Sequence, residues 1–250
     1  MATNYPAPGP CAFSGFQCEG VPRGKDGTDT NGHPWYTVEP WGNHNSRRGI
    51  IYFSDEKGIW HNSRVLADQF AGAGYYTVII NHTGVVREEG KPYEKTDPKL
   101  KASGANLTRM VDNAYFWLGS QGCTKIGAVG YCAGGVPVLR LLNSKSVDAG
   151  FIAHPTNTSE ALFKEIKAPL SVAFADNDNR IGVSARTAAA TGLLASNQPY
   201  QISLYSHIHH GFACRRAFTT EAEVFAKKQA FIQAITWMEE HLRDDSIDGI

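Results

Sequence analysis

The 250-residue chain has no excess charge of either sign, Lys plus Arg matching Asp plus Glu at 24 each. It therefore lacks the basic field that draws a protein to nucleic acid or to an anionic membrane surface. Its Pro-rich opening has no basic segment leading into an apolar one, and no later apolar run approaches the ~20 residues that cross a bilayer. These absences point to a soluble, cytoplasmic protein with no nucleic-acid or membrane partner, acting on a small neutral or locally charged molecule. Cysteine is scarce as well. The five residues Cys11, Cys18, Cys123, Cys132 and Cys214 are odd in number and scattered, which argues against a secreted disulfide framework. Cys11 and Cys18 lack the C-x-x-C spacing of a zinc knuckle and read as structural.

What is present is a regular alternation of apolar segments, in a chain that is 42% hydrophobic and long enough for a substantial core. Short β-rich runs are read at 49–53, 75–80, 126–131, 149–153, 170–175 and 200–205. Helical spacing is read between and after them, at 61–72, 107–118, 136–142, 159–166, 183–195 and 220–242. The last of these predicts a buried stripe of Phe225, Phe231, Ile232, Ile235 and Met238. Strands alternating with helices imply an α/β fold with a mostly parallel sheet covered on both faces and ligands beyond the carboxyl ends of the strands. No repeat, low-complexity tract or linker divides the chain, so 1–250 reads as one domain. Residues 1–45 form an N-terminal extension packing on the core, and the polar stretch 82–103 is long enough to be a lid loop.

One segment carries chemistry more plainly than the rest. The run Lys125 to Val129 breaks into Gly130-Tyr131-Cys132-Ala133-Gly134, with cysteine where a nucleophilic serine would stand in the turn from strand to helix. Such a pentad arises by chance in roughly one chain in twenty of this composition, so its position matters more than its occurrence. A nucleophilic thiol needs a base and a group to orient that base. In chain order both follow. The strand 170–175 runs into Asp176-Asn177-Asp178, and the strand 200–205 runs into Ser206-His207-Ile208-His209-His210-Gly211-Phe212. Asp176 reads as a turn former and Asp178 as the better acid. His210, ahead of a glycine where the chain can turn tightly, is the better base. His207 and His209 share one face of an extended strand, but no Glu or Cys follows at ligand spacing, which argues against a metal site.

These residues together resemble the dienelactone hydrolase family, particularly its fungal members. The segments Cys18 to Gly24, Ser54 to Gly58 and Asn62 to Tyr75 add to the resemblance, which covers most of the chain. It implies an α/β-hydrolase fold and a triad of Cys132, Asp178 and His210, with no metal or organic cofactor. It further implies an acidic residue near the resting thiol at Asp55, and an oxyanion hole from the backbone N–H groups of Glu56 and Ala133. Arg215, favoured slightly over Arg216, matches an arginine that holds an anionic substrate. Tyr131 and Phe212 flank the triad residues. Where many members have Pro-Asp the chain has Asn81-His82, which puts an unusual histidine beside the pocket.

The resemblance implies hydrolysis of a small ester or lactone through an acyl-thioester. The same intermediate would equally serve isomerisation, dehydration or acyl transfer, as in a tailoring enzyme of secondary metabolism, and an idle triad would leave a ligand-binding protein. Monomer and homodimer are both open.

Overall fold

The computed structural model describes residues 20–41, 47–86, 104–215 and 220–243. Eight strands form one sheet: β1 (Lys25–Thr28), β2 (Pro34–Val38), β3 (Arg48–Phe53), β4 (Tyr76–Ile80), β5 (Lys125–Tyr131), β6 (Ala149–Ala153), β7 (Leu170–Ala175) and β8 (Tyr200–Tyr205). Their order across it is β1-β2-β4-β3-β5-β6-β7-β8. From β3 through β8 the pairing is parallel, while β2 runs antiparallel to β4 and β1 antiparallel to β2. The helices are α1 (His61–Gly72), α2 (Gly104–Ser120), α3 (Gly135–Asn143), α4 (Glu160–Lys164), α5 (Val183–Ser196) and α6 (Glu221–His241).

The central strands are apolar at consecutive positions because both of their faces are covered. In β3, Ile50 and Tyr52 join a core with Leu66 and Phe70 of α1 and Phe231 and Ile235 of α6. Their neighbours Ile51 and Phe53 point the other way, to Met110 and Ala114 of α2 and Val138 of α3. Such strands cannot slip by one residue without exchanging two filled cores. The parallel register also sets the loops after β3, β5, β6, β7 and β8 at one end of the sheet, where the chemistry collects.

Two expectations about organisation change. Part of the segment read as an extension is sheet: Tyr36 and Val38 of β2 are core residues. β1 was invisible in the sequence because Lys-Asp-Gly-Thr is exposed throughout and carries no apolar pattern. In α6, Phe231, Ile235 and Met238 are buried, but Phe225 is 60% exposed and Ile232 only half-buried. The helix instead approaches through Ala226, Ala230 and Ala234, whose small side chains shift the contact line off Phe225. Of the stretch read as a lid, residues 82–86 are described and tied down, Ile59 donating its N–H to the carbonyl of Val85. The remainder, 87–103, lies outside the described residues, as do 1–19, 42–46 and Arg216.

Candidate active site

Cys132 stands at the tip of the turn between β5 and α3, with φ of +53°, in a single 3-10 turn Cys132–Gly134. A left-handed backbone is costly for any residue with a Cβ and persists only where the surroundings enforce it. The two glycines of the pentad do so by permitting close approach. A Cβ on Gly130 would lie 2.3 Å from the carbonyl oxygen of Gly134, and one on Gly134 would lie 2.3 Å from that of Phe53. The turn is therefore closed on itself and against the end of β3. That contact also brings Ala133, directly after the thiol, beside the loop that carries Asp55 and Glu56.

Two later strands deliver partners to the thiol. His210 Nε2 lies 3.2 Å from Cys132 Sγ, and His210 Nδ1 lies 2.8 Å and 3.0 Å from the two carboxylate oxygens of Asp178. Asp178 is fixed in turn, its Oδ1 accepting the backbone N–H groups of Arg180 and Ile181 at 2.8 Å and 3.1 Å. A carboxylate so held directs Nδ1–H toward itself and leaves the Nε2 lone pair facing sulfur. Asp176 does not reach His210. It stays within the sheet edge, donating its backbone N–H to the carbonyl of Tyr205. His209 donates Nδ1–H to the carbonyl of Asn177, and His207 sits at a left-handed turn position. Among the described residues no three His, Cys, Asp or Glu side chains gather as a metal site.

The acid on the thiol is Glu56, one residue beyond the position expected. Cys132 donates to Glu56 Oε2 at 3.0 Å, whereas Asp55 turns inward and receives the thiol of Cys214 at 3.5 Å. Asp55 opens a tight turn, its carbonyl accepting the N–H of Gly58 at 3.0 Å and its Oδ1 the N–H of Lys57 at 3.1 Å, and Glu56 is the first residue carried round it, so a slip of one exchanges a site carboxylate for a buried one. The two acids differ accordingly. Burial and then the Glu56 charge push the Asp55 carboxyl up. Burial works the same way on Glu56, but the Cys132 hydrogen bond and the guanidiniums of Arg180 and Arg215 hold it below the usual carboxylate range. The thiol feels the same surroundings with the opposite result: burial, then the Glu56 contact, push Cys132 up to about 12.

Two arginines close the outer side of the site. Arg215 Nη2 donates to Glu56 Oε1 at 3.0 Å. Arg180 Nη1 lies 3.6 Å from the same oxygen and 3.8 Å from Cys132 Sγ. Both side chains are partly exposed, and both guanidiniums meet the carboxylate that receives the thiol. Arg215 is seated by Gly211, whose φ of +88° and missing Cβ leave room for the guanidinium. Arg180 went unread in the sequence, although its place two residues after Asp178 was a usable signal. Thr156 Oγ1, 3.8 Å from the sulfur, was likewise unread.

Tyr131 and Phe212 are core residues behind the thiol rather than pocket lining, Tyr131 stacking on Tyr52 at 5.2 Å between ring centres and Phe212 on Tyr205 at 5.3 Å. His82 lies beyond β4 with its ring edge-on to Phe53 at 5.5 Å. Neither of its ring nitrogens has a hydrogen-bond partner among the described residues, and burial pushes its pKa down to about 4.

A parallel sheet flanked by helices, with a thiol at a strand-to-helix elbow and an acid and a histidine supplied by the next strands, is the α/β-hydrolase fold. The chain belongs to the dienelactone hydrolase family, whose model matches residues 36–242. It is 31% identical to hydrolase pyvD of Aspergillus violaceofuscus over 94% of this chain and 98% of that one. It is 28% identical to hydrolase tropI of Talaromyces stipitatus, over 94% of this chain and 96% of the relative. Among solved structures, a dienelactone-hydrolase-like promiscuous phosphotriesterase from metagenomic libraries superposes with a TM-score of 0.69 at 15% identity, over 88% of this chain and 99% of that one. The fold likeness extends to an acylaminoacyl peptidase of Pyrococcus horikoshii, with a TM-score of 0.66 at 13% identity, over 90% of this chain and 42% of the peptidase.

Proposed function

We propose that this member of a hydrolase family cleaves a small ester or lactone through an acyl-thioester on Cys132, with His210 as base and Asp178 orienting it. The observation that carries the reading is the unbroken array from Asp178 through His210 Nδ1 and Nε2 to Cys132 Sγ, every contact at 3.2 Å or less.

In the resting site the sulfur keeps its proton, because burial and the Glu56 carboxylate oppose a second negative charge. Transfer of that proton to His210 Nε2 gives a thiolate and an imidazolium, the latter steadied by Asp178. The thiolate adds to the carbonyl carbon, and the developing oxyanion takes the backbone N–H groups of Glu56 and Ala133, which stand on the two segments that Gly134 and Phe53 hold together. Collapse expels the alkoxide or enolate, which takes the proton from His210, and leaves the acyl-thioester. Water, deprotonated by His210, then attacks the thioester and releases the carboxylic acid and the thiol. A thiolate is itself a good leaving group, so a substrate whose oxygen departs easily, an enol ester or activated lactone, suits this nucleophile better than a peptide. In this reading Arg215 turns from Glu56 to hold a carboxylate on such a substrate, and Asp55, bonded to Cys214, and His82, against Phe53, act from behind the site.

The test is direct. Incubation with an activated aryl ester followed by intact-mass measurement should give an acyl adduct mapped to Cys132 and absent from Cys132→Ala. No adduct and no turnover over a varied ester and lactone panel would refute the reading.

A further inference from the structure

The mechanism leaves a buried histidine beside the triad without a task. His154, directly after β6, has no exposed surface and a left-handed φ of +39°. Its ring lies against that of His210, with centres 4.9 Å apart and planes at 78°. It is held from behind. Nε2 lies 3.7 Å from Cys214 Sγ, the thiol that reaches Asp55, and the ring also packs on Phe212 at 5.6 Å. The backbone is pinned by an N–H bond to the carbonyl of Ala173 at 2.8 Å.

This arrangement is expensive. A histidine held at positive φ is strained and survives where the surroundings over-determine it. In addition Nδ1 is buried with no partner among the described residues. A residue that served only to fill space would be replaced with gain by an apolar side chain, so the position answers to something other than packing alone. What the strained backbone achieves is to set a flat ring, at 78° to its plane, against the imidazole that touches both Asp178 and Cys132.

We infer that His154 is a positioning residue for His210: its ring, fixed by Cys214 and Phe212, confines the catalytic imidazole to the orientation that joins Asp178 to the Cys132 thiol. His210 reaches its two partners through opposite ring nitrogens, and a rotation that improves one contact spoils the other. Asp178 fixes only one end. A second ring packed against the first supplies the missing constraint. The neutrality of that wall matters too. Burial and the facing His210 push His154 well below the ordinary histidine range, so it adds no positive charge when the imidazolium forms.

The inference rests on the triad reading above, and one experiment separates the two. The rate of Cys132 acylation by p-nitrophenyl acetate is measured by stopped flow on the full-length wild type, His154→Ala and His154→Phe. The downfield proton resonance of His210 Nδ1–H is recorded for each. His154→Ala should slow acylation by roughly ten- to a hundredfold at nearly unchanged KM and broaden or lose the resonance, the size of effect expected for a misplaced catalytic group. His154→Phe, which restores a flat ring without its nitrogens, should recover most of the rate and the resonance. If the alanine variant does not fold, His154→Leu, which fills the volume without a ring, takes its place. Acylation within about threefold of wild type in the ringless variant would overturn the inference. So would a phenylalanine variant as slow as the ringless one. Absence of any acyl adduct on wild-type Cys132 would instead remove the triad reading itself.

Discussion

Glu56 Oε2 lies 3.0 Å from Cys132 Sγ, closer than His210 Nε2 at 3.2 Å. A thiol has one proton, so it cannot donate to both. At rest the proton points at the carboxylate, and the sulfur is held neutral by a residue whose own charge is secured by Arg180 and Arg215. Anything that draws Glu56 aside frees the thiol for His210.

Glu56→Gln should therefore make Cys132 more reactive toward an alkylating reagent. The substitution removes the negative charge beside the sulfur and leaves the two guanidiniums facing it, and both changes favour the thiolate. Iodoacetamide labelling of Cys132 at pH 8 should accelerate by roughly three- to tenfold, each unit of lowered pKa being worth up to tenfold in thiolate. A labelling rate equal to that of wild type would show that Glu56 does not hold the proton.

The acid loop offers a paired comparison. Asp178→Asn removes the carboxylate that touches Nδ1 and should reduce kcat at least about 10²-fold. Asp176→Asn, at a residue that stays in the sheet edge, should leave kcat within about twofold. Equal losses in the two variants would mean that the contact of Asp178 with His210 does not govern turnover.

Arg215→Met separates anchoring from indirect effects. If the guanidinium grips a substrate carboxylate, KM for an ester bearing a free carboxylate should rise by about tenfold, while a neutral ester of similar size is little changed. Steady-state kinetics on the two esters decide the matter. The same loss on both would show that Arg215 acts through Glu56.

His82 gives a pH signature in stability. Burial lowers its pKa from 6.5 to about 4, so the unfolded chain binds a proton more readily than the folded one. Its contribution to stability is present above pH 6.5 and is lost as the pH falls toward 4. His82→Gln cannot titrate and should flatten that limb in urea denaturation series at pH 7, 5.5 and 4.5. An unchanged slope would place His82 in water rather than against Phe53.

The fold and the meeting of Cys132, His210 and Asp178 were legible because each leaves a local trace. Apolar runs bounded by turn formers fixed the six parallel strands, and Gly130, Gly134 and Gly211 mark places where backbone must approach backbone or a side chain must pass. What was not legible depends on contacts between distant segments. β1 is held by pairing with β2 and has no apolar pattern of its own. Glu56 and Asp55 are adjacent and chemically alike, and only the direction of the loop decides which meets the sulfur. His154 reads as an ordinary loop residue after a strand until the chain brings it against His210, 56 positions later in the numbering.

The position of β8 at the free edge of the sheet has a consequence for durability. Among the described residues that strand pairs on one side only, with β7, and Tyr200, Ile202 and Leu204 are 41%, 36% and 55% exposed. It is also the strand from which His210 hangs, whereas Cys132 is carried by β5 in the middle of the sheet. Cys132 and His210 thus stand on parts of unequal tenacity. On warming, an edge strand frays before the centre melts. The protein then keeps its shape and its thiol while losing the partner that activates it.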